Sequence, residues 1–98
     1  IVHCFQELAA ERPVVVVPTF YSSYVRFRMA RNYWERYSSL AITPGIHAID
    51  LLPHFEAVGA DAVRCFQEPH DVHFSAYGHL VLADALQEEL TGLGLLSA

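Results

Sequence analysis

Lysine is absent from this chain, and its six basic residues are all arginine against eleven acidic ones, giving a net charge of -5. That balance excludes the broad positive footprint on which general nucleic-acid binding depends. Cysteine is scarce: Cys4 and Cys65 stand far apart, with no C-x-x-C spacing. Two cysteines could form one bridge, but nothing resembles a disulfide framework or a common zinc or redox motif, and both thiols are expected to be buried in their apolar surroundings. No apolar run approaches the ~18 residues of a membrane span, and no signal-peptide pattern is visible. The chain opens Ile1-Val2-His3 without an initiator methionine, so it reads as a segment of a longer protein. Repeats, low-complexity tracts and linkers are missing too.

Charged residues are only 17% while hydrophobic ones are 53%, which excludes disorder. Ninety-eight residues allow one domain. Ile1, Cys4, Phe5, Leu8 and Ala9 share one face at helical spacing. Glu11-Arg12-Pro13 ends that helix, because proline cannot continue the hydrogen-bonding ladder. Val14-Val15-Val16-Val17 is a β-branched run without a polar face, closed by Pro18. Such a run suits a strand covered on both sides, as in a parallel sheet.

From about Tyr24 to Ala41, Phe27, Ala30, Trp34, Tyr37 and Ala41 recur three and four apart and predict a second helix. Arg28, Arg31, Asn32 and Glu35 lie opposite, with Arg31 and Glu35 an i,i+4 pair. A solvated face explains these arginines better than an anion patch does. Thr43-Pro44-Gly45 is turn chemistry. Ile46 to Leu51 reads as a second strand, so a βαβ unit is expected. Leu52-Pro53-His54-Phe55 turns into a short helix, Gly59-Ala60-Asp61 into a loop, and Ala62 to Phe66 into a short edge strand or extended segment.

A final helix is expected from Ala76 to Leu90, with Ser75 as N-cap, a buried stripe at Ala76, Leu80, Ala83, Leu86 and Leu90, and Gly92 and Gly94 ending it. The whole is a layered α/β sandwich. Its few strands would leave a sheet edge open to self-association.

Chemistry concentrates in Asp71-Val72-His73-Phe74-Ser75-Ala76-Tyr77-Gly78-His79. Asp71 can accept a hydrogen bond from the Nδ1–H of His73, which leaves Nε2 free to take a proton as a general base. The positive end of the following helix opposes an imidazolium while the carboxylate favours it. Gly78 allows the first helical turn to pack closely against a neighbour. The plainer reading makes Asp71 a loop residue and His73 an ordinary surface histidine. A metal site built from His70, Asp71, His73 and His79 is a competing reading, although His79 falls near the apolar face of the helix. His47 and His54 read as structural and His3 as exposed.

The block from Asp71 to Ala83 resembles the C-terminal block of the SGNH/GDSL-type serine hydrolases. There an Asp and a His precede a glycine-containing helix start. The Val14–Val17 and Ile46–Leu51 strands are similar to the last strands of that family's flavodoxin-like three-layer α/β/α fold. On that likeness residues 1–98 would be the C-terminal portion of a single SGNH hydrolase-like α/β domain with a small parallel sheet. His73 would be the general base and Asp71 its partner. The D-x-H spacing departs from the commoner D-x-x-H and looks more like the branch that contains polysaccharide O-acetylation proteins.

The resemblance implies a small-molecule, carbohydrate or lipid ester as substrate and requires no metal or other cofactor. The family's remaining blocks (a Gly-Asp-Ser-like turn, a glycine donor and the asparagine of a Gly-x-Asn-like motif) do not occur here. They would supply nucleophile and oxyanion hole from further upstream. Ser22 and Ser23 follow the first strand, but no glycine gives the sharp turn that exposes a nucleophilic serine, and Ser75 is better read as a cap. Alone, the chain would also suit a non-catalytic α/β interaction module.

Overall fold

The computed structural model describes residues 2–18, 20, 33–67 and 73–96. They fall into two compact units, one drawn from residues 1–19 and 31–50 and the other from 20–30 and 51–98. Mixed helix and strand with a small two-stranded parallel sheet makes this a small α/β architecture.

In the first unit, helix α1 spans Val2–Ala9. The amides of Glu11 and Arg12 both turn back to the Leu8 carbonyl at 3.0 Å, closing the helix just ahead of Pro13. Strand β1 is Val14–Val16 and strand β2 is Ile46–Ala48, paired in parallel with Val14 opposite Ile46 and Val16 opposite Ala48. Flanking bonds from Val14 N–H to the Gly45 carbonyl (2.8 Å) and from Ile49 N–H to the Val16 carbonyl (2.9 Å) carry the ladder past both ends. The turn into β2 is a type II turn. Ile46 N–H donates to the Thr43 carbonyl at 3.2 Å, Pro44 takes the first central position, and Gly45 takes the second at φ 88°. An added Cβ on Gly45 would also lie 2.9 Å from the Ala9 carbonyl oxygen, so the turn and the end of α1 share the space a side chain would need.

Helix α2, Trp34–Ser38, continues as a 3₁₀ turn over Ser39–Ile42. The earlier part of the helix expected from Tyr24, including Phe27, Arg28, Ala30, Arg31 and Asn32, lies outside the described residues, as do Ser22 and Ser23.

Several expectations for this unit need correction. Cys4 is exposed rather than buried, and Leu8 is 47% exposed, so the face of α1 that packs is the narrower one holding Phe5 and Ala9. The valines of β1 are half-buried rather than fully covered. The second strand stops at Ala48, three residues short of Leu51.

In the second unit, helix α3 is Leu52–Glu56, with Pro53 near its start where a missing N–H costs nothing. A 3₁₀ helix over Gly59–Cys65 replaces the expected loop and edge strand. Extended geometry survives only as one antiparallel bridge, Phe66 to Phe74. Helix α4, Ala76–Gly92, begins at Ser75, whose hydroxyl accepts the Gly78 N–H at 3.1 Å. It ends in a Schellman motif: Leu95 N–H reaches the Leu90 carbonyl (2.9 Å), Gly94 N–H reaches the Thr91 carbonyl (3.0 Å), and Gly94 takes φ 75°.

The core of this unit is aromatic. Phe55 is fully buried and is stacked on Phe74 at 5.4 Å, with Phe20 edge-on at 5.1 Å and Phe66 at 6.2 Å. These separations lie in the favourable range for aromatic pairs, and each such ring contributes roughly 1.5–3 kcal/mol by burial alone. Leu51, Leu52 and Cys65 are buried beside it in the same unit.

The stripe assigned to the last helix also needs correction. Ala76 and Ala83 are exposed and Leu80 is 66% exposed, while the buried positions are Gly78 and Ala85. Val81, Leu82, Leu86 and Leu90 are half-buried. Apolar side chains surround most of this helix, so periodicity does not choose a face. The choice falls to Gly78, against which the Cys65 backbone rests.

Candidate functional site

His73 sits two residues ahead of the α4 N-cap, on a turn locked from three sides. Its carbonyl accepts the Gln67 N–H at 2.8 Å. The next residue, Phe74, is anchored in the aromatic core and bridged to Phe66. Ser75 then donates its N–H to the Cys65 carbonyl at 2.9 Å and its hydroxyl to the Arg64 carbonyl. The His73 side chain itself is exposed. The sequence builds this by alternation: Phe74 turns into the core, so its neighbour His73 is directed to solvent.

Gly78 completes the lock. A Cβ there would lie 2.8 Å from the Cys65 carbonyl carbon and closer still to its oxygen. The first turn of α4 therefore rests directly on the backbone at the end of the 3₁₀ helix. This is the neighbour that the glycine-containing helix start requires.

Asp71 and His70 lie outside the described residues. His79 is exposed rather than on the buried face, and its ring meets the edge of Phe74 at 5.8 Å. Among the described residues, no three His, Cys, Asp or Glu side chains are grouped to hold a metal ion.

His54 ties α3 to α4: its Nε2–H donates to Glu89 Oε1 at 2.7 Å, and Nδ1 lies 3.8 Å from Glu88 Oε2. Arg64 lies 3.6 Å from Asp61 and 5.1 Å over the Tyr77 ring, on the exposed side of the helix start. Burial pushes the Cys65 thiol above its usual range, with Asp61 adding to the shift and Arg64 opposing it. Cys65 is buried in the core, where burial favours its neutral thiol.

Two further polar residues take part in bonds that local pattern does not reveal. Gln67 bonds to both the His73 and Phe74 carbonyls, and the equal apolar character of Phe66 and Phe74 was the available sign that their segments pair. Asp50 lies just beyond the carboxyl end of β2, where it accepts a hydrogen bond from the Tyr33 hydroxyl at 3.0 Å. Ligands of open parallel sheets gather at such ends, and a lone acid after an apolar run was the sign.

No family model, curated protein or solved structure matches the chain. No helix among the described residues is long and apolar enough to cross a membrane.

Proposed function

We propose that this chain supplies the base end of a serine ester hydrolase or acyl-transferring site, with His73 as general base and Asp71 as its orienting carboxylate. In this reading the fold is the C-terminal part of a flavodoxin-like α/β/α domain. The serine and the oxyanion donors come from chain outside these 98 residues, because their motifs are not among them. His73 Nε2 takes the proton of the serine hydroxyl as its oxygen attacks the ester carbonyl. The imidazolium then returns that proton to the departing alkoxide, leaving an acyl-serine. Water or an acceptor hydroxyl, deprotonated by the same nitrogen, attacks the acyl carbonyl, and the imidazolium returns that proton to the departing serine oxygen as the acyl group is released. The substrate class is an ester of a small molecule, carbohydrate or lipid.

The observation that carries this reading is the exposed imidazole of His73, on a backbone held from its own carbonyl onward, directly ahead of a capped helix. A general base needs that combination of access and fixed direction. A merely solvated histidine has no use for the second.

The test is labelling of the full-length protein by a serine-directed phosphonate. His73→Ala should abolish labelling and ester turnover while the circular dichroism spectrum is unchanged, and Asp71→Asn should reduce both. The 98-residue chain alone should show no turnover above its own His73→Ala variant. Labelling and turnover that survive His73→Ala in a folded protein would overturn the base assignment.

A further inference from the structure

Gln67 makes two hydrogen bonds to the turn that carries His73. Its backbone N–H donates to the His73 carbonyl at 2.8 Å, and its side-chain Nε2–H donates to the Phe74 carbonyl at 3.1 Å. One residue thus holds two consecutive carbonyls, and with them the orientation of the two peptide planes that follow the His73 Cα. On the far side, Ser75 is held by the Cys65 and Arg64 carbonyls. The Phe66–Phe74 bridge lies between these attachments.

Core packing does not account for the Gln67 amide, because the residue is exposed and its Phe74 bond spans seven positions of sequence. We infer that Gln67 is a positioning residue for His73. Its side-chain amide holds the Phe74 carbonyl and its backbone N–H the His73 carbonyl, and together they steady the backbone from which the His73 side chain projects. This role rests on the base assignment above. It adds a residue that never touches substrate but determines where the base nitrogen points. Small displacements of a catalytic group are costly because the reacting atoms must meet within a narrow range of distance and angle.

Two variants separate positioning from packing. Gln67→Ala removes the donor and leaves the backbone bond to His73 in place. Gln67→Glu keeps the shape, but a carboxylate cannot donate to a carbonyl. Both should lower kcat in the full-length protein by about tenfold with KM unchanged. Both should also speed hydrogen exchange at the Gln67 and Ser75 amides by about fivefold, the loss expected for one ordinary hydrogen bond. Gln67→Glu behaving like the wild type, exchange at those amides unchanged, or a change confined to KM would each overturn the inference. Should His73→Ala itself retain full turnover, the base assignment fails and the catalytic role of Gln67 with it. Loss of turnover in His73→Ala beside normal kcat in Gln67→Ala would sink the positioning role alone.

Discussion

The glycine at position 78 offers the sharpest test of how the helix start is held. In the middle of a helix, Gly→Ala ordinarily stabilises by about 1 kcal/mol, because alanine loses less backbone entropy on folding. At Gly78 the new methyl would lie 2.8 Å from the Cys65 carbonyl carbon and would overlap its oxygen. That obstacle is backbone, so it cannot rotate aside as a side chain would. Either the first turn of α4 or the end of the 3₁₀ helix must move away.

Movement breaks the Ser75-to-Cys65 bond and strains the Ser75-to-Arg64 bond, each worth ~1 kcal/mol net. Overpacking adds about 1–3 kcal/mol. Against the propensity gain, the balance is a destabilisation of roughly 2–4 kcal/mol.

Gly92 is the internal control. It is the last residue of the same helix, and nothing lies within 4 Å of its Cβ position. There the entropy argument acts alone, and Gly92→Ala should stabilise by about 0.5–1 kcal/mol. Urea unfolding followed by circular dichroism at 222 nm reads both variants in one assay. A Gly78→Ala protein as stable as the wild type, or stabilised like Gly92→Ala, would refute the close backbone approach and with it the account of how the His73 turn is fixed.

Two further outcomes are expected. Gly45→Ala should lower stability by about 1–2 kcal/mol in the same urea assay, since alanine must adopt φ 88° as well as approach the Ala9 carbonyl oxygen at 2.9 Å. Alkylation of the native protein by iodoacetamide, mapped by mass spectrometry, should modify exposed Cys4 and spare buried Cys65. Because the folded Cys65 thiol is raised above its unfolded value, the folded state holds this proton more tightly. Its contribution to stability is therefore complete below the ordinary thiol range near pH 8.5 and declines as pH rises beyond it. Cys65→Ala should flatten that alkaline decline, and an unchanged slope would count against it.

The sequence by itself determined the features that depend on local chain chemistry. Pro13 and the Val14 run set the end of α1 and the start of β1. Thr43-Pro44-Gly45 set the turn into β2, because only glycine enters the second central position of a type II turn without strain. Ser75 set the start of α4 through its hydroxyl, and the Gly92–Gly94 region set its end. The proposed pairing of Asp71 with His73 rests on sequence proximity alone, since Asp71 lies outside the described residues.

What the tertiary structure decided is everything that depends on a partner distant in sequence. The face of α4 that packs was not readable, since apolar residues surround the helix and the choice lies with the Cys65 backbone beneath Gly78. The stretch from Ala62 to Phe66 looked extended from its composition, yet up to Cys65 it belongs to a 3₁₀ helix whose end packs against the first turn of α4. Cys4 looked buried because its neighbours are apolar, but burial depends on what covers a face, not on what adjoins it. The grip of Gln67 on the His73 turn exists only because Phe66 and Phe74 meet across the chain. Local propensity could place the start of α4; only packing across the chain could fix the backbone from which His73 projects.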